Sequence, residues 1–94
     1  MRRYAQSKID VNQPAIVAAL RAAGWAVLSL ASLGKGVPDL VASKNKRTVF
    51  IECKDGAKPP SARKLTPAEQ AFFDTWPGEC YVVESVDDAL RMFA

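Results

Sequence analysis

Asp39 is followed, after twelve intervening residues, by Glu52-Cys53-Lys54. In an extended run, side chains alternate between two faces. Over 48–54, Thr48, Phe50, Glu52 and Lys54 therefore share one face, and Val49, Ile51 and Cys53 share the other. The second set is wholly apolar and belongs in a core. Glu52 and Lys54 then stand side by side on the opposite face at the strand end. Alone, such a pair is a surface ion pair worth well under ~1 kcal/mol. Asp39 changes that reading. It follows Pro38 on a segment that the basic turn Lys44-Asn45-Lys46-Arg47 folds back against 48–54. A hairpin there brings Asp39 near Glu52. Two close carboxylates repel unless a cation lies between them, and Mg²⁺ takes one or two carboxylates plus water and phosphate oxygens. Lys54 beside them could position or deprotonate a water. Asp, Glu and Lys together can hold a metal, neutralise charge and activate a nucleophile for phosphodiester hydrolysis.

The rest of the composition narrows the alternatives. The 94 residues suffice for one small domain, read as 1–94, with an ordinary globular mixture of apolar and charged residues. There is no His, which removes Ser-His and Cys-His catalysis and the usual mixed zinc sites. Cys53 and Cys80 both sit in apolar runs and read as buried thiols in a reducing compartment. No apolar run approaches the roughly 20 residues that span a bilayer. Met1-Arg2-Arg3-Tyr4, with Lys8 and Asp10 soon after, provides no apolar leader core. The expectation is a cytoplasmic protein with no membrane partner.

The elements that must position the three residues follow from pattern. Asn12 reads as an N-cap ahead of Gln13-Pro14, and Ile16, Val17, Leu20 and Ala23 recur at helical spacing until Gly24. Residues 25–30 read as a buried strand, 32–36 as a loop, 37–42 as a second strand and 48–54 as a third. Residues 55–64 form a charged, proline-containing loop. Thr66-Pro67-Ala68-Glu69 is a capping box for a helix through Phe72, Phe73 and Trp76, stopped by Pro77-Gly78. Residues 80–83 read as a fourth strand. Ser85 caps a last helix with Ala89, Leu90 and Phe93 on its apolar face. The predicted order is α-β-β-β-α-β-α. Trp25 and Trp76 read as core in preference to stacking platforms.

The motif Gly36-Val37-Pro38-Asp39-Leu40 followed by Glu52-Cys53-Lys54 resembles the PD-(D/E)xK nuclease signature. Further pieces resemble the virus-type replication-repair nuclease (VRR-NUC) family of that superfamily. They are Gln13-Pro14-Ala15-Ile16-Val17, Gly34-Lys35-Gly36-Val37-Pro38-Asp39-Leu40, Phe50-Ile51-Glu52-Cys53-Lys54 and Leu65-Thr66-Pro67-Ala68-Glu69-Gln70. The short chain is similar to the stand-alone phage and bacterial members. The resemblance implies a restriction-endonuclease-like α/β core with a small mixed sheet flanked by helices. It implies Asp39 and Glu52 as ligands of Mg²⁺ or Mn²⁺, the Cys53 backbone carbonyl as a further ligand, and Lys54 orienting the attacking water. The family also uses a Glu from the first helix, whereas residues 12–24 contain no carboxylate. Asp10 is the nearest substitute, and a local hydrogen bond at the helix start is an equal reading of it. Gln70 matches a polar position that touches the site or a phosphate, or else lies on a solvated helix face.

Charge is uneven. Residues 1–64 hold twelve Lys/Arg against four Asp/Glu, and 65–94 hold Arg91 against six acids. Lys35, Lys44, Lys46, Arg47, Lys58, Arg63 and Lys64 lie on loops flanking the motif strands, where they suit phosphate contacts or form an ordinary solvated surface. The implied activity is a metal-dependent DNA endonuclease, resolvase-like toward Holliday junctions. Action on flaps or nicked duplex and a silent nucleic-acid-binding module are the alternatives. Stand-alone relatives imply a homodimer, since one small domain carries one site and symmetric cleavage of a junction needs two.

Overall fold

The computed structural model describes residues 10–94; the basic residues Arg2, Arg3 and Lys8 lie outside them, as does the leader reading of Met1 to Lys8. The elements are α1 (Gln13–Ala22), β1 (Ala26–Ser29), β2 (Leu40–Lys44), β3 (Arg47–Cys53), α2 (Pro67–Thr75), β4 (Glu79–Val83) and α3 (Val86–Phe93). A short 3₁₀ turn, Pro60–Ala62, interrupts the 55–64 loop. The predicted element order holds throughout. The sheet runs β1-β2-β3-β4, with β1/β2 and β2/β3 antiparallel and β3/β4 parallel, which makes it mixed. The parallel pair follows from α2, which carries the chain from the end of β3 back to the start of β4.

Alternation along β3 decides what each face does. Val49, Ile51 and Cys53 point into the core with Val27, Leu40, Ala42 and Val83, covered by Ile16 and Leu20 of α1 and Ala89 and Phe93 of α3. Trp25 joins this core and donates its indole N–H to the Phe93 carbonyl at 2.8 Å. The opposite face carries Phe50, whose ring packs against Phe72 and Trp76 of α2 at centroid distances of 5.6 and 4.9 Å. That cover is partial: Leu28 remains 66% exposed and Trp76 44%. Trp76 is thus not a core residue; it sits at the C-terminal cap of α2 with one side open. Leu90 is likewise exposed, because the packing stripe of α3 runs through Val86, Ala89 and Phe93 and leaves it on the flank.

Local geometry departs from the sequence expectation at three places. The basic turn contains only Asn45 and Lys46, with φ of 53° and 67°, the two-residue hairpin that matches strand twist. Lys44 and Arg47 are paired strand residues instead. Second, β2 begins at Leu40, because Val37 is held in a turn by its N–H bond to the Gly34 carbonyl. Third, Asn12 makes no capping bond. Its amide donates to the carbonyls of Lys54 and Glu84 at 3.1 and 3.0 Å, tying the start of α1 to the ends of β3 and β4.

Candidate active site

The hairpin register sets Leu40 against Ile51, which puts Asp39, one residue before β2, across from Glu52. The Cys53 N–H donates to Asp39 Oδ2 at 2.8 Å and locks that carboxylate at the strand end. Glu52 is not the surface residue that strand alternation suggests; it is 4% exposed. What covers it comes from α2. Lys54 Nζ donates to Glu69 Oε1 at 2.9 Å and lies 3.6 Å from Glu52 Oε2. Glu69 Oε1 also accepts from the Thr66 N–H at 2.9 Å, while Thr66 Oγ1 accepts from the Glu69 N–H at 3.2 Å. The capping box read from the sequence is therefore present, and its Glu serves the site as well.

The loop before β2 seats α2. Gly36 has φ of +82°, and a Cβ there would lie 2.4 Å from the Ala68 carbonyl oxygen. Only glycine allows that approach. A cleft of about 370 Å³ results, lined by Asp10, Lys35, Asp39, Glu52, Lys54 and Glu69 among others.

Burial pushes the Glu52 carboxyl up to about 9, and the charges of Asp39 and Glu69 push the same way. Asp39 is also raised by burial, although the Cys53 N–H and the Glu52 side chain oppose that. Burial works against the Lys54 ammonium, but Glu69 and then Glu52 outweigh it and hold its pKa above the ordinary value. Lys54 is thus held as an ammonium whose N–H groups donate hydrogen bonds. Burial would raise Glu69, yet Lys54 and the Thr66 N–H bring it below the ordinary range. Burial also keeps the Cys53 thiol protonated.

This arrangement fits a divalent cation. Glu52 Oε1 is buried and has no hydrogen-bond partner. Two desolvated carboxylates in contact are what a cation would relieve. Among the described residues no group of three or more carboxylate or Cys side chains forms a closed metal cage. Two carboxylates suit an ion that keeps several waters. Asp10 lines the cleft, but its carboxylate faces Lys58 Nζ at 3.9 Å. Its carbonyl accepts from the Gln13 N–H at 3.0 Å, the local bond expected near a helix start.

The cations named from sequence separate into two groups. Lys35 lines the cleft, and Lys58 and Lys64 are exposed on the 55–64 loop. Arg63 in that loop pairs with Glu84 at 3.2 Å. Lys44, Lys46 and Arg47 lie at the opposite end of β2 and β3. Lys44 donates to the Ala23 carbonyl at the end of α1 at 2.7 Å. Arg47 binds Glu79 through two nitrogens, holding that carboxyl down to about 2. Gln70 points along the outer face of α2 to Asp74 at 2.9 Å, so it is its neighbour Glu69 that enters the cleft.

A mixed four-stranded sheet between helices, with Asp at one strand's edge and Glu-x-Lys closing the next, is the restriction-endonuclease-like core of the PD-(D/E)xK nucleases. Within that class the family is specific. The family model for archaeal Holliday junction resolvase (Hjc) matches residues 11–65, more than half of the chain, and this chain belongs to that family. No curated protein and no solved structure gives a significant match. No helix among the described residues is long and apolar enough to cross a membrane.

Proposed function

We propose that residues 1–94 act as one metal-dependent endodeoxyribonuclease domain that cuts branched DNA, with the Holliday junction as substrate. The observation that carries this reading is the buried Asp39–Glu52 pair, with an unpartnered oxygen on Glu52, beside a protonated Lys54 in an open cleft. Asp39, Glu52 and the Cys53 carbonyl would hold Mg²⁺ or Mn²⁺, which would neutralise phosphate charge and lower the pKa of a bound water. Lys54, an ammonium with three donors, orients the attacking water or a phosphate oxygen. The water oxygen bonds to phosphorus and gives up a proton to solvent, the bond to the leaving sugar oxygen breaks, and that oxygen takes a proton from solvent. Asp10 stands at the rim as an outer carboxylate. Lys35, Lys58 and Lys64 contact the backbone near the cleft.

The segment Leu65 to Gln70, which starts at the last matched residue and runs past it, supports the VRR-NUC type within the superfamily. Both cysteines are free, in keeping with a cytoplasmic protein. The open half of the sheet face, with Leu28 and Trp76 exposed, supports a homodimer that presents two sites to one junction.

The test is a panel of four-way junction, flap, nicked and linear DNA with Mg²⁺, Mn²⁺ or EDTA, alongside light scattering at micromolar protein. Junction cleavage in either metal, none in EDTA and a dimeric mass are expected. Preference for flaps or nicks would move the substrate. DNA binding with no cleavage of any substrate would leave a silent binding module. A monomer that resolves junctions in one encounter would remove the two-site arrangement.

A further inference from the structure

The Hjc match ends at residue 65, and α2 begins at Pro67. Glu69 therefore lies outside it, and by local rules it is fully explained as the third residue of a capping box. Its second bond is not. The oxygen that accepts the Thr66 N–H is also the one that binds Lys54 Nζ, and Lys54 stands 0.7 Å nearer to it than to Glu52 (2.9 against 3.6 Å). Glu52 meanwhile keeps one oxygen without any partner. The helix that carries Glu69 is itself pressed onto the Gly36 loop, so the carboxylate cannot retreat freely.

We propose that Glu69 is a positioning residue that holds the Lys54 ammonium off Glu52, leaving Glu52 open to the cation and the free N–H donors of Lys54 open to the cleft. This rests on the nuclease reading of the site. The physical argument is competition between anions. Lys54 carries one charge in a poorly hydrated pocket and goes to the nearest fixed carboxylate. With Glu69 neutralised, the nearest one is Glu52. The lysine then cancels charge that the cation needs and occupies the oxygen beside it.

Glu69→Gln separates this role from the cap, because Gln at the third position also completes a capping box. The experiment is a double-mutant cycle on the full chain, with Mn²⁺ binding measured calorimetrically without DNA and junction cleavage measured in parallel. In the wild-type background Glu69→Gln should weaken Mn²⁺ binding about tenfold and lower kcat by about 10- to 100-fold, the range typical of residues supporting a metal site. KM for DNA should change little. In the Lys54→Met background the same Glu69→Gln change should leave Mn²⁺ affinity unaltered, since no ammonium remains to restrain. Equal weakening in both backgrounds would make Glu69 a ligand or a purely structural group and overturn the proposal, as would no weakening in either. A wild-type protein that binds Mn²⁺ and cuts junctions while the cycle fails removes the Glu69 role alone. A wild-type protein that does neither removes the nuclease reading with it.

Discussion

Glu52 is the residue whose chemistry departs furthest from its ordinary state. Its carboxyl is raised to about 9 by burial and by Asp39, whereas in the unfolded chain it titrates near 4.5. The folded, metal-free protein therefore binds a proton that the unfolded chain has released. Stability from this group is fully present below about pH 4.5 and is lost as pH rises toward 9. Glu69, lowered in the fold, works in the opposite sense, but only in acid below that window. Thermal melts in EDTA should show a melting temperature that falls as pH rises from about 5 to about 9, and Glu52→Gln should flatten the profile. A wild-type profile as flat as the variant's would show that Glu52 does not hold that proton. Asp39, Glu52 and Lys54 are legible from spacing because strand period and one hairpin suffice to bring them together. The burial of Glu52 is not, since it depends on α2 folding over the strand. Glu69 is hidden by its own good local explanation: a capping box accounts for the residue before any long-range bond is considered.

At the scale of elements, the site exists only while α2 stays close to the loop before β2. Gly36 sets that distance through its left-handed backbone and the 2.4 Å that a Cβ would leave to the Ala68 carbonyl. Gly36→Ala should therefore destabilise the fold by roughly 1–3 kcal/mol. It should also push Glu69 outward, lowering cleavage more than DNA binding. Denaturant unfolding and binding isotherms on the same variant check this; wild-type stability with wild-type cleavage would show the approach to be dispensable. The capping box of α2, the Ser85 cap of α3 and the order of strands are readable from local residues. The start of β2 is not, because Val37 has strand-like character yet the turn at Gly34 claims it. Asn12 is misread for a related reason. Its residue type fits a helix cap, but two strand-end carbonyls far along the chain take its donors.

For the molecule as a whole, the basic residues described between 10 and 64 do not form one surface. The strand from Arg47 to Cys53 separates the hairpin cations from the cleft by about 20 Å, at ~3.3 Å per residue. Arg47 and Lys44 are engaged by Glu79 and by the end of α1. Neutralising Lys35 and Lys64 together should lower the salt slope of duplex binding by about 1.8, at ~0.9 for each phosphate left without its cation. Neutralising Lys44 and Arg47 should leave the slope nearly unchanged. Binding isotherms across a salt series decide this, and the reverse pattern would move the DNA to the hairpin end. Clustering of cations along the chain is legible in the sequence. Their division between two ends of a sheet is not, since a hairpin sends neighbours in the chain to opposite poles from its motif.

The bond from Trp25 to the Phe93 carbonyl spans 68 residues, and the one from Asn12 to Glu84 spans 72. During synthesis the three motif residues emerge well before the partners that give them a scaffold. A chain halted at Lys64 holds Asp39, Glu52 and Lys54 but lacks Val83, Ala89 and Phe93, so its apolar strands keep only Ile16 and Leu20 of α1 to close on. Such a fragment should stay unfolded by amide NMR, with collapsed peaks in place of dispersed ones. A dispersed spectrum would show that the early segments fold unaided. An unfolded fragment would mean that the nascent chain gathers Asp39, Glu52 and Lys54 into one cleft only late, once the residues that close the core have been made.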